Sequence, residues 1–136
     1  MTVGRVIAFD PGSKRIGVAV SDPLRIVATP LTVIDAADPW DAIAELFDEY
    51  SPVEVVVGLP VSLSGDEGPS AERARAFGEE LEQRTGRSIR WVDERFTTQR
   101  AEEALIEGGV RRRERKQAVD KVAAAVILQH YLTSQV

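Results

Sequence analysis

Apolar positions follow two patterns along the chain, short unbroken or alternating runs and stripes spaced three and four apart, and their alternation predicts an α/β protein. Val6 to Phe9 is an unbroken run of the kind shown by a strand buried on both faces, and it stops at Asp10. Pro11 disfavours the helical region for Asp10 and Gly12 permits a positive φ, so Pro11 to Arg15 reads as a tight turn before a second strand, Ile16 to Val20. Arg25 to Val33 offers a third strand, placed at an edge by Pro30. Asp38 as N-cap, with Pro39 at the first helical position, opens a helix whose Trp40, Ile43, Ala44, Phe47 and Tyr50 share a face; Ser51-Pro52 ends it.

The second half repeats the alternation. Val53 to Val57 is a buried strand that ends in Gly58-Leu59-Pro60, and the polar loop that runs on to Gly68 reads as a flap. Ala71 to Arg84 is an amphipathic helix with Ala74, Phe77 and Leu81 inward, closed by Gly86; Ile89 to Val92 is a fifth strand ending in Asp93-Glu94. A helix over Ala101 to Glu107, capped by Thr97 or Thr98, stops at Gly108-Gly109 before a basic loop, and a last helix spans Glu114 to Leu132. The layout is a mixed sheet whose later strands run parallel to the first, in one domain over residues 1–136. Such sheets place sites beyond the carboxyl ends of their parallel strands, where Asp10 and Asp93-Glu94 both fall.

Composition removes several chemistries. With no cysteine there is no disulfide framework, thiolate metal site or cysteine nucleophile. The single histidine, His130, lies on the last helix and reads as a surface or half-buried residue without a chemical role; no Gly-x-Ser-x-Gly turn offers it a serine. No signal segment or membrane span is apparent, so a cytoplasmic protein is expected. The net charge of −5 is uneven: residues 110–136 carry six basic and two acidic side chains, leaving the rest at −9. A basic quarter on an acidic body can meet a polyanion locally.

Three acidic residues stand out by their apolar surroundings. Asp10 ends the first strand, Glu94 follows the last, and Asp120 opens the helical stripe Ala123, Ala124, Ile127, Leu128 and Tyr131. A carboxylate on a core-facing stripe is costly unless bonded, paired or bound to a metal. Three oxygen donors around one point suit Mg²⁺ or Mn²⁺, and two such ions could serve phosphodiester hydrolysis. Each residue also has a plainer reading: Asp10 as the start of an Asp-Pro-Gly turn, Asp120 as a cap or partner of Lys116, Glu94 as a partner of Arg95 with Asp93 the ligand instead. The basic run from Arg111 to Lys116 can equally be a solvated loop.

Four stretches in order, FDPGSKRIGVAVSD (Phe9 to Asp22), VVGLPVSLSG (Val56 to Gly65), VDERFTT (Val92 to Thr98) and GGVRRRERKQAVDKVAAAVILQHYL (Gly108 to Leu132), resemble the YqgF (RuvX) family of ribonuclease H-like nucleases. The resemblance implies a central five-stranded sheet in ribonuclease H topology flanked by helices. It also implies a metal-dependent nuclease site on Asp10, Glu94 and Asp120 with two Mg²⁺ or Mn²⁺ ions bound alongside substrate. Lys14, Arg15, Arg95, Arg111, Arg112, Arg113, Arg115 and Lys116 are the expected phosphate contacts. Family members are described both as nucleases maturing the 5′ end of the 16S ribosomal RNA precursor and as Holliday junction resolvases. The expected partners are accordingly precursor RNA, with ribosomal particles, or branched DNA, and no membrane; the state is monomer or homodimer, a two-fold junction calling for a two-fold enzyme. Two other classes compete. Asp-x-Gly after a first strand also looks like the phosphate loop of actin-like ATPases and sugar kinases, which need a second related domain for which this chain is too short. A non-catalytic nucleic-acid or ribosome adaptor would use the basic run without the carboxylates.

Overall fold

The computed structural model describes residues 3–62, 64–94 and 112–134, with side chains of the last segment described from residue 121. Five strands, β1 (Val6–Pro11), β2 (Arg15–Ser21), β3 (Ala28–Asp35), β4 (Glu54–Leu59) and β5 (Ile89–Asp93), form one sheet in the order β3-β2-β1-β4-β5. β1, β2 and β3 are an antiparallel meander, whereas β4 and β5 run parallel to β1. The expected five-stranded mixed sheet is therefore present. Helices α1 (Trp40–Tyr50) and α2 (Pro69–Thr85) form the crossovers into β4 and β5, and α3 (Arg112–Ser134) ends the described chain.

Strand alternation divides the core into two layers. Val6, Ala8, Val56 and Val92 point to one face and pack against Ala124, Ile127, Leu128 and Tyr131 of α3, the stripe read from the sequence. Ile7, Phe9, Val55 and Val57 point to the other, under Ile43 of α1 and Leu81 of α2. Phe9 meets Phe77 edge to face at 5.6 Å, and Phe77 stacks on Trp40 at 5.7 Å, tying both helices to the central strand. Full burial of Phe9 is worth about 2–3 kcal/mol. His130 is exposed on α3.

Several boundaries depart from the sequence reading for local reasons. β3 begins at Ala28 instead of Arg25, because the Asp22 carboxylate accepts the backbone N–H groups of Leu24, Ile26 and Val27 and so diverts the preceding residues into a turn. Those donors hold the Asp22 carboxyl below its ordinary pKa. Pro30 is accommodated as expected: β3 is an edge strand, and its register slips opposite Val18 and Ala19. Asp38 does not cap α1; the N-cap is Pro39, without a side-chain cap bond, and Asp35 turns the chain by accepting from Ala37 N–H at 2.9 Å. Ala44 faces solvent while Ala42 and Leu46 turn inward, so the buried stripe of α1 is rotated from the predicted one. β4 continues to Leu59, and α2 starts at Pro69. Beyond β4, Ser62, Ser64 and Asp66 hydrogen-bond one another into a compact turn. The last helix spans Arg112 to Ser134, so Arg112 and Arg113, expected in the basic loop before Glu114, are helical; Arg is a strong helix former. The predicted helix at Ala101 to Glu107 lies outside the described residues.

Candidate active site

The carboxyl ends of β1, β4 and β5 converge on one point. Register pairs Phe9 with Val57 and Gly58 with Val92, so Asp10, one position past Phe9, and Glu94, two positions past Val92, fall on the α3 face on either side of Gly58. The backbone N–H of Glu94 donates to the Leu59 carbonyl at 3.2 Å, extending the β4–β5 pairing by one step and fixing Glu94 at the rim. Gly58 is what lets the carboxylates close in. A Cβ there would sit 2.5 Å from Ile127 Cδ1 and 3.1 Å from Glu94 Oε2, so the missing side chain makes room for both the acid and the helix. The isolated glycine at the end of a Val-rich strand was the sequence signal for this close approach, and it was read only as the strand's stop.

Asp10 and Glu94 share a hydrogen bond, although 84 residues separate them. Burial, the Asp10 charge and hydrogen bond, and the Asp93 charge together push the Glu94 carboxyl up to about 9. Without a cation, the two carboxyl groups therefore favour sharing a proton between them. Asp93 is exposed and acts on the pair through charge, whereas Glu94 makes the contact. The structure thus brings together two of the three predicted acids.

Asp120 belongs to α3, about two turns before Ile127. Its side chain lies outside the described residues. Among the described residues, no group of three or more His, Asp or Glu side chains is arranged to hold a metal. The pair itself suits a hard cation: its donors are all oxygens, and like charges crowded into a half-buried recess are the arrangement a divalent ion neutralises.

Lys14 and Arg15 are exposed on the β1–β2 turn, at the same end of β1 as Asp10. The turn is closed by Gly12 N–H donating to the Arg15 carbonyl at 2.9 Å, and Ala36 N–H donates to the Lys14 carbonyl at 3.0 Å. Arg95 and Arg111 lie outside the described residues. Arg112, Arg113, Arg115 and Lys116 occupy the opening turns of α3, and their side chains are likewise outside the description. No helix among the described residues is long and apolar enough to cross a membrane.

The model of a family described as RuvX, Holliday junction resolvase, matches residues 4–134. A protein of Lactococcus lactis subsp. cremoris (strain MG1363) named "Putative pre-16S rRNA nuclease" is 44% identical over 133 residues, covering 94% of this chain and 93% of its own. One of the same name from Dictyoglomus turgidum is 44% identical over 133 residues, covering 96% and 94%. Among solved structures, Thermus thermophilus RuvC in complex with a Holliday junction substrate aligns with a TM-score of 0.57 at 17% identity, covering 96% of this chain and 95% of that one. That likeness is one of fold, and the fold is ribonuclease H-like.

Proposed function

The chain belongs to the RuvX family, and from that premise we propose that it is a metal-dependent endonuclease that hydrolyses phosphodiesters, acting in 5′-end maturation of the 16S ribosomal RNA precursor in the cytoplasm. One observation carries the reading: Asp10 and Glu94, delivered by separate parallel strands, meet at the sheet's carboxyl end over a glycine that leaves them room. The names of the curated relatives favour the RNA substrate.

In this reading Asp10, Glu94 and Asp120 would together hold the Mg²⁺ or Mn²⁺ ions. Bound there, Mg²⁺ or Mn²⁺ supplies Lewis acidity toward the phosphoryl group and activates water. The protein's own part is to hold the oxygens at fixed spacing on rigid strand ends, which lowers the reorganisation needed at reaction. Burial and the neighbouring Asp10 and Asp93 favour the protonated form of Glu94, so a cation held there would compete with that proton and its binding would depend on pH. Lys14, Arg15, Arg95 and the basic run Arg111 to Lys116 hold flanking phosphates and set the salt dependence of binding.

The family description, Holliday junction resolvase, favours a second reading in which the substrate is branched DNA and the enzyme a homodimer. A paired assay separates the two. Purified protein meets a labelled precursor ribosomal RNA leader and a labelled four-way DNA junction in Mn²⁺, Mg²⁺ or chelator. Metal-dependent cutting of the leader at a defined position supports the first reading, whereas symmetrical cutting of the junction alone replaces it with the second. Metal-independent binding of both without cleavage leaves the adaptor.

A further inference from the structure

Away from the carboxylates, a groove of about 300 Å³ runs between the edge strand β3 and helix α1. Leu31, Ile34, Ala42 and Leu46 give it an apolar floor, and Glu45 and Glu49, both exposed, stand along its rim. Neither glutamate has an ion pair among the described residues. Arg5 reaches one end of the groove, its guanidinium lying 5.9 Å from the ring centroid of Tyr50 and donating to the Ser21 carbonyl. Arg84 and Arg87 lie against Trp40 and Phe47 of α1, but the carboxylates along the groove's rim belong to a stretch of one sign. From Ile26 to Glu72 the chain has ten acidic residues and no lysine or arginine, and α1 alone presents Asp41, Glu45, Asp48 and Glu49.

A protein that meets a polyanion with its basic residues repels it from such a face. We propose that the β3–α1 groove docks a basic, amphipathic segment of a partner protein, with apolar side chains seated on the Leu31–Leu46 floor and Lys or Arg paired to Glu45 and Glu49. Charge complementarity selects this occupant over nucleic acid. The volume lies at the lower limit for small-molecule pockets and is suited to one or two side chains of a longer segment. Among the described residues β3 is also unpaired along its outer edge, where an extended segment can lie, and Pro30 with its register slip confines pairing to the Thr32 to Asp35 half. Such docking couples a nuclease to a protein component of its substrate particle, yet it does not depend on the chemistry assigned to Asp10.

The test is fluorescence anisotropy with full-length protein and a fluorescein-labelled decapeptide of alternating Lys and Leu. Controls are an alternating Lys–Ser and an alternating Glu–Leu peptide. Saturable binding of the Lys–Leu peptide is expected, about tenfold weaker in the Glu45→Lys/Glu49→Lys double variant and in Leu46→Ser, and unchanged in Asp10→Asn. Glu45 and Glu49 are exposed, so the double variant should retain the wild-type circular dichroism spectrum and melting temperature. Absence of saturable binding, equal binding of the Lys–Ser peptide, or undiminished binding to a folded double variant overturns the proposal; the last would place the peptide elsewhere on the acidic body.

Discussion

The parallel strands carry a glutamate at each end of the sheet, and the two are treated in opposite ways. At the amino end, Glu54 of β4 is met by cations and a donor: Arg25 Nη1 lies 2.9 Å from Oε2, Arg90 Nε lies 3.8 Å from Oε1, and the Tyr131 hydroxyl of α3 donates to Oε1. At the carboxyl end, Glu94 is met by Asp10, with Asp93 adding a further negative charge. The same α3 spans both ends, supplying a hydrogen-bond donor to one and apolar cover from Ile127 beside the other. A carboxylate whose charge is balanced within the fold fastens β4 to its neighbours. One crowded against other carboxylates opposes folding unless it keeps a proton or gains a cation, and that difference separates a structural acid from a functional one.

The most severe way to break the contrast is to neutralise each end in turn. Asp10→Asn should lower cleavage by more than about a thousandfold while leaving the protein folded, because a charged ligand of the reacting centre is lost. Glu54→Gln should cost about 2 kcal/mol of stability by leaving Arg25 without its charged partner, with cleavage per folded molecule unchanged. Thermal melts and single-turnover rates on both variants check the pair together.

Gly58→Ala probes the space between the acids. The new methyl group must displace Ile127 or the Glu94 carboxylate, so destabilisation of about 1–3 kcal/mol is expected together with roughly tenfold slower cleavage. Slower cleavage without altered melting would mean that Ile127 yields easily and the carboxylate does not.

The pH dependence sharpens the comparison from the stability side. Glu94 titrates higher in the folded protein, at about 9, than its ordinary value of 4.5, so the folded state holds a proton that the unfolded chain releases. Its favourable contribution is complete below pH 4.5 and is lost as pH rises toward about 9. In chelator, the melting temperature should therefore fall from pH 5.5 to pH 8.5, and Glu94→Gln should flatten the fall. A slope that survives in Glu94→Gln would assign the titration to another group. The smallest effect is expected at the basic run: replacing Arg111, Arg112 and Arg113 by Ala should weaken nucleic-acid binding and flatten its salt dependence, with rates at saturating enzyme nearly unchanged.

Much of this was visible in the sequence, and the rest was hidden for physical reasons. The unbroken run Val6 to Phe9 ending in Asp10, and the stripe Ala123 to Tyr131, carry their periods in the residues themselves, so strand, helix and buried face were readable. The rotation of α1 that exposes Ala44 depends on how Trp40 meets Phe77, a contact between residues 37 positions apart to which local pattern is blind. Asp38 resembled a cap by residue type, but the turn was taken by Asp35, the last paired residue of β3, which accepts from Ala37 N–H. Asp10 and Glu94 were each legible as acids at strand ends. Their hydrogen bond was not, because it rests on the β1–β4–β5 register and on the side chain that Gly58 lacks.

The central claim is that the crowded carboxylates at one end of the sheet, and not the balanced one at the other, perform metal-dependent hydrolysis. Its most direct test compares cleavage of a labelled precursor ribosomal RNA leader by wild type, Asp10→Asn and Glu54→Gln in Mn²⁺ and in chelator, each protein first shown to be folded at the assay temperature. The account predicts cutting in Mn²⁺ by wild type and Glu54→Gln, and none by Asp10→Asn or by any protein in chelator. Cutting by Asp10→Asn at the wild-type rate would contradict it.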